Sequence, residues 1–140
     1  MIVYAESSAV LAWLLGEPGE GEVREVLGGA ERVLSSTLTV VQCTRAIRRG
    51  ASSGRLGDTD ELAALRLLDE VAASWITLEM TGRVLDRARA RFLHEPVRTL
   101  DGLHLASAVL FHETLGDVTI ASLDDRIRRN APALGMMVVP

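Results

Sequence analysis

Three acids in this chain occupy positions from which a carboxylate can do chemistry. Glu6 closes the apolar run Ile2–Ala5 and is followed by Ser7 and Ser8. Asp124, with Asp125 beside it, follows the apolar run Val118–Ala121 and Ser122. Asp101 stands two residues after Thr99, a hydroxyl residue expected to cap the helix that begins there. An acid in a first helical turn also complements the helix dipole, worth about 0.3–1 kcal/mol, so each acid taken singly has an ordinary explanation. Glu6 and Asp124 both follow strands and so share one edge of a sheet. Carboxylates brought together there raise one another's pKa, and a hard divalent cation relieves that repulsion. Oxygen-only ligands favour Mg²⁺ or Mn²⁺ over zinc. Such a site carries no side-chain nucleophile but can orient and deprotonate a water, which suits hydrolysis of a phosphodiester.

Composition narrows the alternatives. All fifteen basic residues are arginine, which removes a Walker-A lysine, a Schiff-base lysine and a lysine general base. It also counts against a phosphoacceptor receiver domain, which would need an active-site lysine. Cys43 is the single cysteine, so neither an internal disulfide nor a cysteine zinc cage is available, and a reducing, cytoplasmic setting is expected. His94, His104 and His112 lack the HxxxH and HExxH spacings of a zinc site. His104, one turn after Asp101, reads as a hydrogen-bonded structural histidine, and Cys43 as a small buried residue. The net charge of −4 argues against bulk electrostatic attraction to nucleic acid, although arginines cluster locally at Arg83, Arg87, Arg89 and Arg91 and at Arg126, Arg128 and Arg129. These read as solvated helix faces or as a rim for phosphates. Two Trp, one Tyr and two Phe are too few for a base-stacking platform. No signal peptide and no apolar stretch long enough to span a membrane are found.

The elements that must position the acids follow from periodicity. Ile2–Ala5, Arg32–Ser35, Trp75–Leu78, Val118–Ala121 and Met136–Val139 read as strands. They are nearly continuous apolar runs, as in strands covered on both faces. Helices are predicted over Ser8–Leu15, Gly21–Leu27, Thr39–Arg49, Asp60–Ala73, Glu79–Leu93, Thr99–Leu115 and Leu123–Leu134, with Gly50–Gly57 a loop. Strands alternating with one or two helices predict an α/β fold: three layers, a central parallel sheet of about five strands flanked by helices, in one domain over residues 1–140. Ligands of such a sheet bind outside the carboxyl ends of its strands, where Glu6 and Asp124 fall.

Four segments then resemble one family across nearly the whole chain. Val3-Tyr4-Ala5-Glu6-Ser7-Ser8-Ala9-Val10, Ser35–Ala46, Arg98–Ala108 and Ile120–Ile127 are similar, in order and spacing, to the four motifs of the PIN-domain ribonucleases of the VapC toxin type. The resemblance implies a metal-dependent endoribonuclease, the toxin half of a type II toxin–antitoxin pair, with Mg²⁺ or Mn²⁺ as cofactor. It also implies RNA as substrate, a cognate antitoxin as partner and a homodimer. Carried over by position, Glu6, Asp101 and Asp124 are the catalytic and metal-binding acids, and Ser8 and Ser122 orient them. Two positions depart from the pattern. Glu6 stands where the family usually has aspartate, and Gln42 where it usually has glutamate. An amide oxygen can still act as a weak ligand or orient the acids, but one negative charge is lost. Gln42 therefore leaves a second reading open: a catalytically weakened PIN fold that binds RNA or protein.

Overall fold

β1 (Ile2–Ala5) is a strand because its inner residues are apolar and wholly enclosed; Val3, Tyr4 and Ala5 are buried on both faces of the sheet. In the computed structural model, which describes residues 1–140, the chain continues as α1 (Ser7–Leu15), α2 (Glu20–Gly29), β2 (Arg32–Ser36), α3 (Thr37–Ser52) and α4 (Asp58–Ala72). It is completed by β3 (Ile76–Leu78), α5 (Gly82–Ala88), α6 (Thr99–Leu115), β4 (Val118–Ala121), α7 (Asp125–Asn130), a 3₁₀ turn (Pro132–Leu134) and β5 (Val138–Val139). All four strand pairings are parallel, and the order across the sheet is β3-β2-β1-β4-β5. The expected three-layer α/β architecture is the one observed.

Alternation along β1 divides the core. Tyr4 faces one side with Leu34, Leu105, Ile120 and Ile127. Ala5 faces the other with Val10, Cys43, Ile47 and Leu68, and Val3 packs with Ala9, Val23 and Ala121. From β1 the chain moves outward through β2 to β3, then returns to β1's other side for β4 and β5. The order therefore reverses between β1 and β4, and at that switch point the loops leave the sheet in opposite directions and open a crevice. Ala5 is level with Ala121, and the Glu6 N–H donates to the Ala121 carbonyl at 3.0 Å. That register sets Glu6 beside Ser122 at the crevice floor.

Several boundaries differ from the sequence expectation. The helix expected over Glu79–Leu93 is only Gly82–Ala88, so Arg89 and Arg91 leave the helical face that holds Arg83 and Arg87. Pro96 ahead disfavours helical backbone at Glu95. The segment instead folds on side-chain bonds: Glu95 accepts from the Phe92 and Val97 amides, and Asn130 clamps the His94 backbone at 2.9 and 3.0 Å. The last helix divides at Pro132, which has no N–H to continue it. α3 runs on to Ser52, into the stretch expected to be loop. β3, expected to be covered on both faces, lies at the sheet edge with Ile76 and Thr77 exposed. Thr99 does not cap α6; Arg98 takes the cap position, without a side-chain capping bond.

Candidate active site

Glu6 is both the last residue before α1 and its N-cap. Its Oε1 accepts from the Ser8 amide at 3.1 Å. Its Oε2 accepts from the Ser8 hydroxyl and, at 2.7 Å, from the Ser122 hydroxyl. The two serines in turn accept from the next loop: Ser8 Oγ from the Leu123 amide at 2.9 Å and Ser122 Oγ from the Asp124 amide at 3.1 Å. Glu6 thus ties the end of β1 to the end of β4. Burial pushes its carboxyl pKa up; the serine hydrogen bonds pull against that, and the nearby Asp124 charge adds to the rise.

Asp124 also caps a helix. Its Oδ1 accepts from the Arg126 amide at 2.8 Å and the Ile127 amide at 3.4 Å, which leaves Oδ2 free of its own helix. Asp101, in the first turn of α6, is buried. The two acids meet through Arg98, whose Nε lies 3.1 Å from Asp101 Oδ2 and whose Nη2 lies 3.7 Å from Asp124 Oδ2. One guanidinium therefore spans the two carboxylates, although the residues that bear them are more than twenty positions apart.

Behind the acids runs a second polar chain. Gln42 Oε1 accepts from the Ser7 hydroxyl at 2.6 Å and contacts His104 Nε2, while His104 Nδ1 lies 2.9 Å from the Tyr4 hydroxyl. An amide oxygen only accepts, so Nε2 carries the proton and Nδ1 accepts from Tyr4. Ser7 Oγ, 3.0 Å from Nε2, shares that N–H. Every member of the chain is satisfied by a neutral imidazole; burial holds the His104 pKa down at about 4, with Asp124 opposing weakly. Gln42, taken from sequence as a weak ligand or orienting residue, spends its oxygen on Ser7 and His104. Burial likewise pushes the Cys43 thiol up to about 12, leaving it an unreactive core residue.

All five remaining sequence candidates, Glu6, Ser8, Asp101, Ser122 and Asp124, line the β1–β4 crevice. No three His, Cys, Asp or Glu side chains close on one point in a metal-holding arrangement. The donor set nonetheless fits a hard divalent cation. Asp101 and Asp124 already aim one oxygen each at a common cationic group, every ligand atom offered is oxygen, and the charge of Glu6 lies close enough to act on that of Asp124. Arg98 and Ser7 are the residues that sequence reasoning passed over. The i,i+3 spacing of Arg98 and Asp101 was the available signal for the first. Nothing in the spacing announced the second contact of Arg98, to Asp124. Of the arginines expected to line helix faces, Arg128 serves structure, donating to the Ser122 and Pro140 carbonyls at 2.8 and 3.0 Å.

Comparison with known proteins agrees with this fold. The PIN domain family model matches residues 3–132. The chain is 33% identical, over 98% of its own length and 95% of the relative's, to Ribonuclease VapC46 of Mycobacterium tuberculosis. Among solved structures, the Mycobacterium tuberculosis VapC20 toxin superposes with a TM-score of 0.67 at 14% identity, covering 99% of both chains. VapBC2 from Rickettsia felis, solved on a DNA fragment from its promoter, gives 0.63 at 9% identity, over 99% of this chain and 97% of that one. At such identities the two structures speak for the fold alone. The family match and the near full-length relative, joined to a five-stranded parallel sheet with acids at its switch point, make this chain a member of the PIN-domain family, among the VapC ribonucleases.

Proposed function

We propose that this protein is an endoribonuclease that hydrolyses RNA phosphodiester bonds with Mg²⁺ or Mn²⁺ at Asp101, Asp124 and Glu6, as the toxin of a toxin–antitoxin pair. The observation that carries this reading is the approach of Asp101 and Asp124 to a single cation at the sheet's switch point, with buried Glu6 next to them. Asp101 and Asp124 would hold the metal through their Oδ2 atoms, with Glu6 as the deeper third acid. When bound, the metal would activate a water and stabilise the charge that develops on the scissile phosphate. Asp124 is oriented for this by the first amides of α7, which fix Oδ1 and leave Oδ2 facing the crevice. Ser8 and Ser122 hold the buried Glu6 carboxylate in place through hydrogen bonds, and the neutral His104 adds no positive charge to compete with a cation.

The antitoxin partner is proposed by likeness to relatives that bear the VapC name and to a VapBC neighbour. Co-purification with the product of an adjacent short reading frame tests it. The catalytic reading is tested by incubating a mixed structured and single-stranded RNA pool with the protein in Mn²⁺, Mg²⁺ or EDTA, alongside Asp101→Asn. Metal-dependent cutting, lost in a folded Asp101→Asn, is expected; cutting that survives the substitution would overturn the site. Gln42, an amide where the motif usually carries a carboxylate and with its oxygen bonded to Ser7 and His104, favours a second reading, a PIN fold that binds RNA without turnover. RNA binding with no Mn²⁺ uptake at millimolar concentration would establish it.

A further inference from the structure

We propose that Arg98 is an internal counter-ion that holds the metal position in the resting protein and must be exchanged for the divalent cation. The inference rests on the metal-site reading above and adds a residue beyond the acids and serines named there. Asp124 has one oxygen committed to the α7 amides, so Oδ2 is the atom it can offer a ligand. That oxygen faces the Arg98 Nη2, and the Asp101 Oδ2 faces the Arg98 Nε. No other cationic side chain comes within 4 Å of either acid. A cation ligated by both Oδ2 atoms would need the volume that the guanidinium occupies.

The two carboxylates and the arginine are built differently. The Asp101 and Asp124 side chains are 10% and 22% exposed, whereas that of Arg98 is 64% exposed. The acids therefore stay in place while the guanidinium can swing into water on its flexible stem. Its backbone is pinned as the cap residue of α6, with its carbonyl accepting from the Gly102 amide at 2.9 Å, so the side chain leaves without disturbing the helix. An ion pair whose cation lies mostly in water is partly screened, which limits the cost of departure. A divalent ion brings twice the charge to the same two oxygens. In the absence of metal, Arg98 keeps the two carboxylates from repelling one another; in its presence, Arg98 is a competitor that weakens apparent affinity.

Calorimetric titration of the metal-stripped protein with Mn²⁺ tests this, using wild type, Arg98→Gln and Arg98→Lys, with melting curves recorded in EDTA and in Mn²⁺. Loss of the two Arg98 ion pairs from the competition predicts Mn²⁺ binding about three- to tenfold tighter in Arg98→Gln. It also predicts a lower melting temperature in EDTA and a larger rise on adding metal. In Arg98→Lys the ammonium cannot fork across both acids, so its affinity should fall between the two. Wild type that binds Mn²⁺ while a folded Arg98→Gln binds it equally or more weakly overturns the exchange and leaves the metal site standing. Absence of Mn²⁺ binding in both overturns the metal site and the exchange together. Should Arg98→Gln not fold, Arg98→Lys with unchanged or weaker affinity is the overturning result.

Discussion

Replacing His104 by Gln should abolish an acid-triggered loss of stability that the wild-type protein carries. His104 is fully enclosed, and its hydrogen bonds to Tyr4, Ser7 and Gln42 are all met by the neutral ring. Its pKa is held at about 4 against an ordinary 6.5, so the folded protein resists a proton that the unfolded chain accepts. The sign follows: stability from this group is present above pH 6.5 and is lost as pH falls toward 4. With those two values, lowering the pH from 7.5 to 4.5 costs about 2–3 kcal/mol through His104 alone, a large part of a domain stability of about 5–15 kcal/mol. Other groups titrate too, Glu6 in the opposite direction, so the quantity to measure is a difference of differences. Urea unfolding followed by circular dichroism in EDTA, at pH 7.5 and 4.5, gives it for both proteins. Gln can still hydrogen bond within the cavity but cannot take a proton, so its lower starting stability drops out. Wild type should lose about 2 to 3 kcal/mol more than the variant between the two pH values. Parallel losses, within about 0.5 kcal/mol, would refute a buried neutral imidazole.

Other substitutions probe the crevice and its supports. Because burial raises the Glu6 pKa, its favourable contribution is complete below the unfolded value of 4.5 and disappears as pH rises through the raised folded value. Urea midpoints in EDTA should therefore show wild type losing ground to Glu6→Gln between pH 4.5 and 8, while the variant loses metal-dependent cleavage. Ser122→Ala removes the donor to Glu6 Oε2 and the acceptor for the Asp124 amide; it should cost about 1–3 kcal/mol in urea unfolding and depress cleavage. Leu34→Ala, which empties a fully buried position in the face packed by α6 and α7, should cost about 2–5 kcal/mol by the same measurement.

Much of the fold was legible because it depends on local pattern. β1, β4 and α6 begin and end where apolar runs and helical spacing place them, and β2 and α1 differ by one residue. These elements are the ones that deliver Glu6, Asp101, Ser122 and Asp124, so the crevice acids could be named before any coordinates. Misreadings occur where a distant partner decides. The residues after Ala88 have helical composition, yet Pro96 ahead and Asn130 from α7 hold them irregular. Thr99 is a good cap by type, but the chain places Arg98 there and directs its side chain to two acids instead. Gln42 matches a motif position by number, yet Ser7 and the buried His104 engage its oxygen.

The amino-acid order by itself determines the alternation of strands and helices, the parallel sheet they must form, and the acids that follow β1 and β4, because hydrophobic periodicity and strand–helix alternation act over short stretches of chain. Tertiary structure alone decides the charge state and pairing of those acids. Which carboxylate is tied to a second strand, which tautomer His104 adopts and which arginine reaches Asp124 as well as its near neighbour Asp101 all depend on groups more than twenty residues apart in the chain. Electrostatic free energy follows distance and burial in space, and neither can be read along the chain.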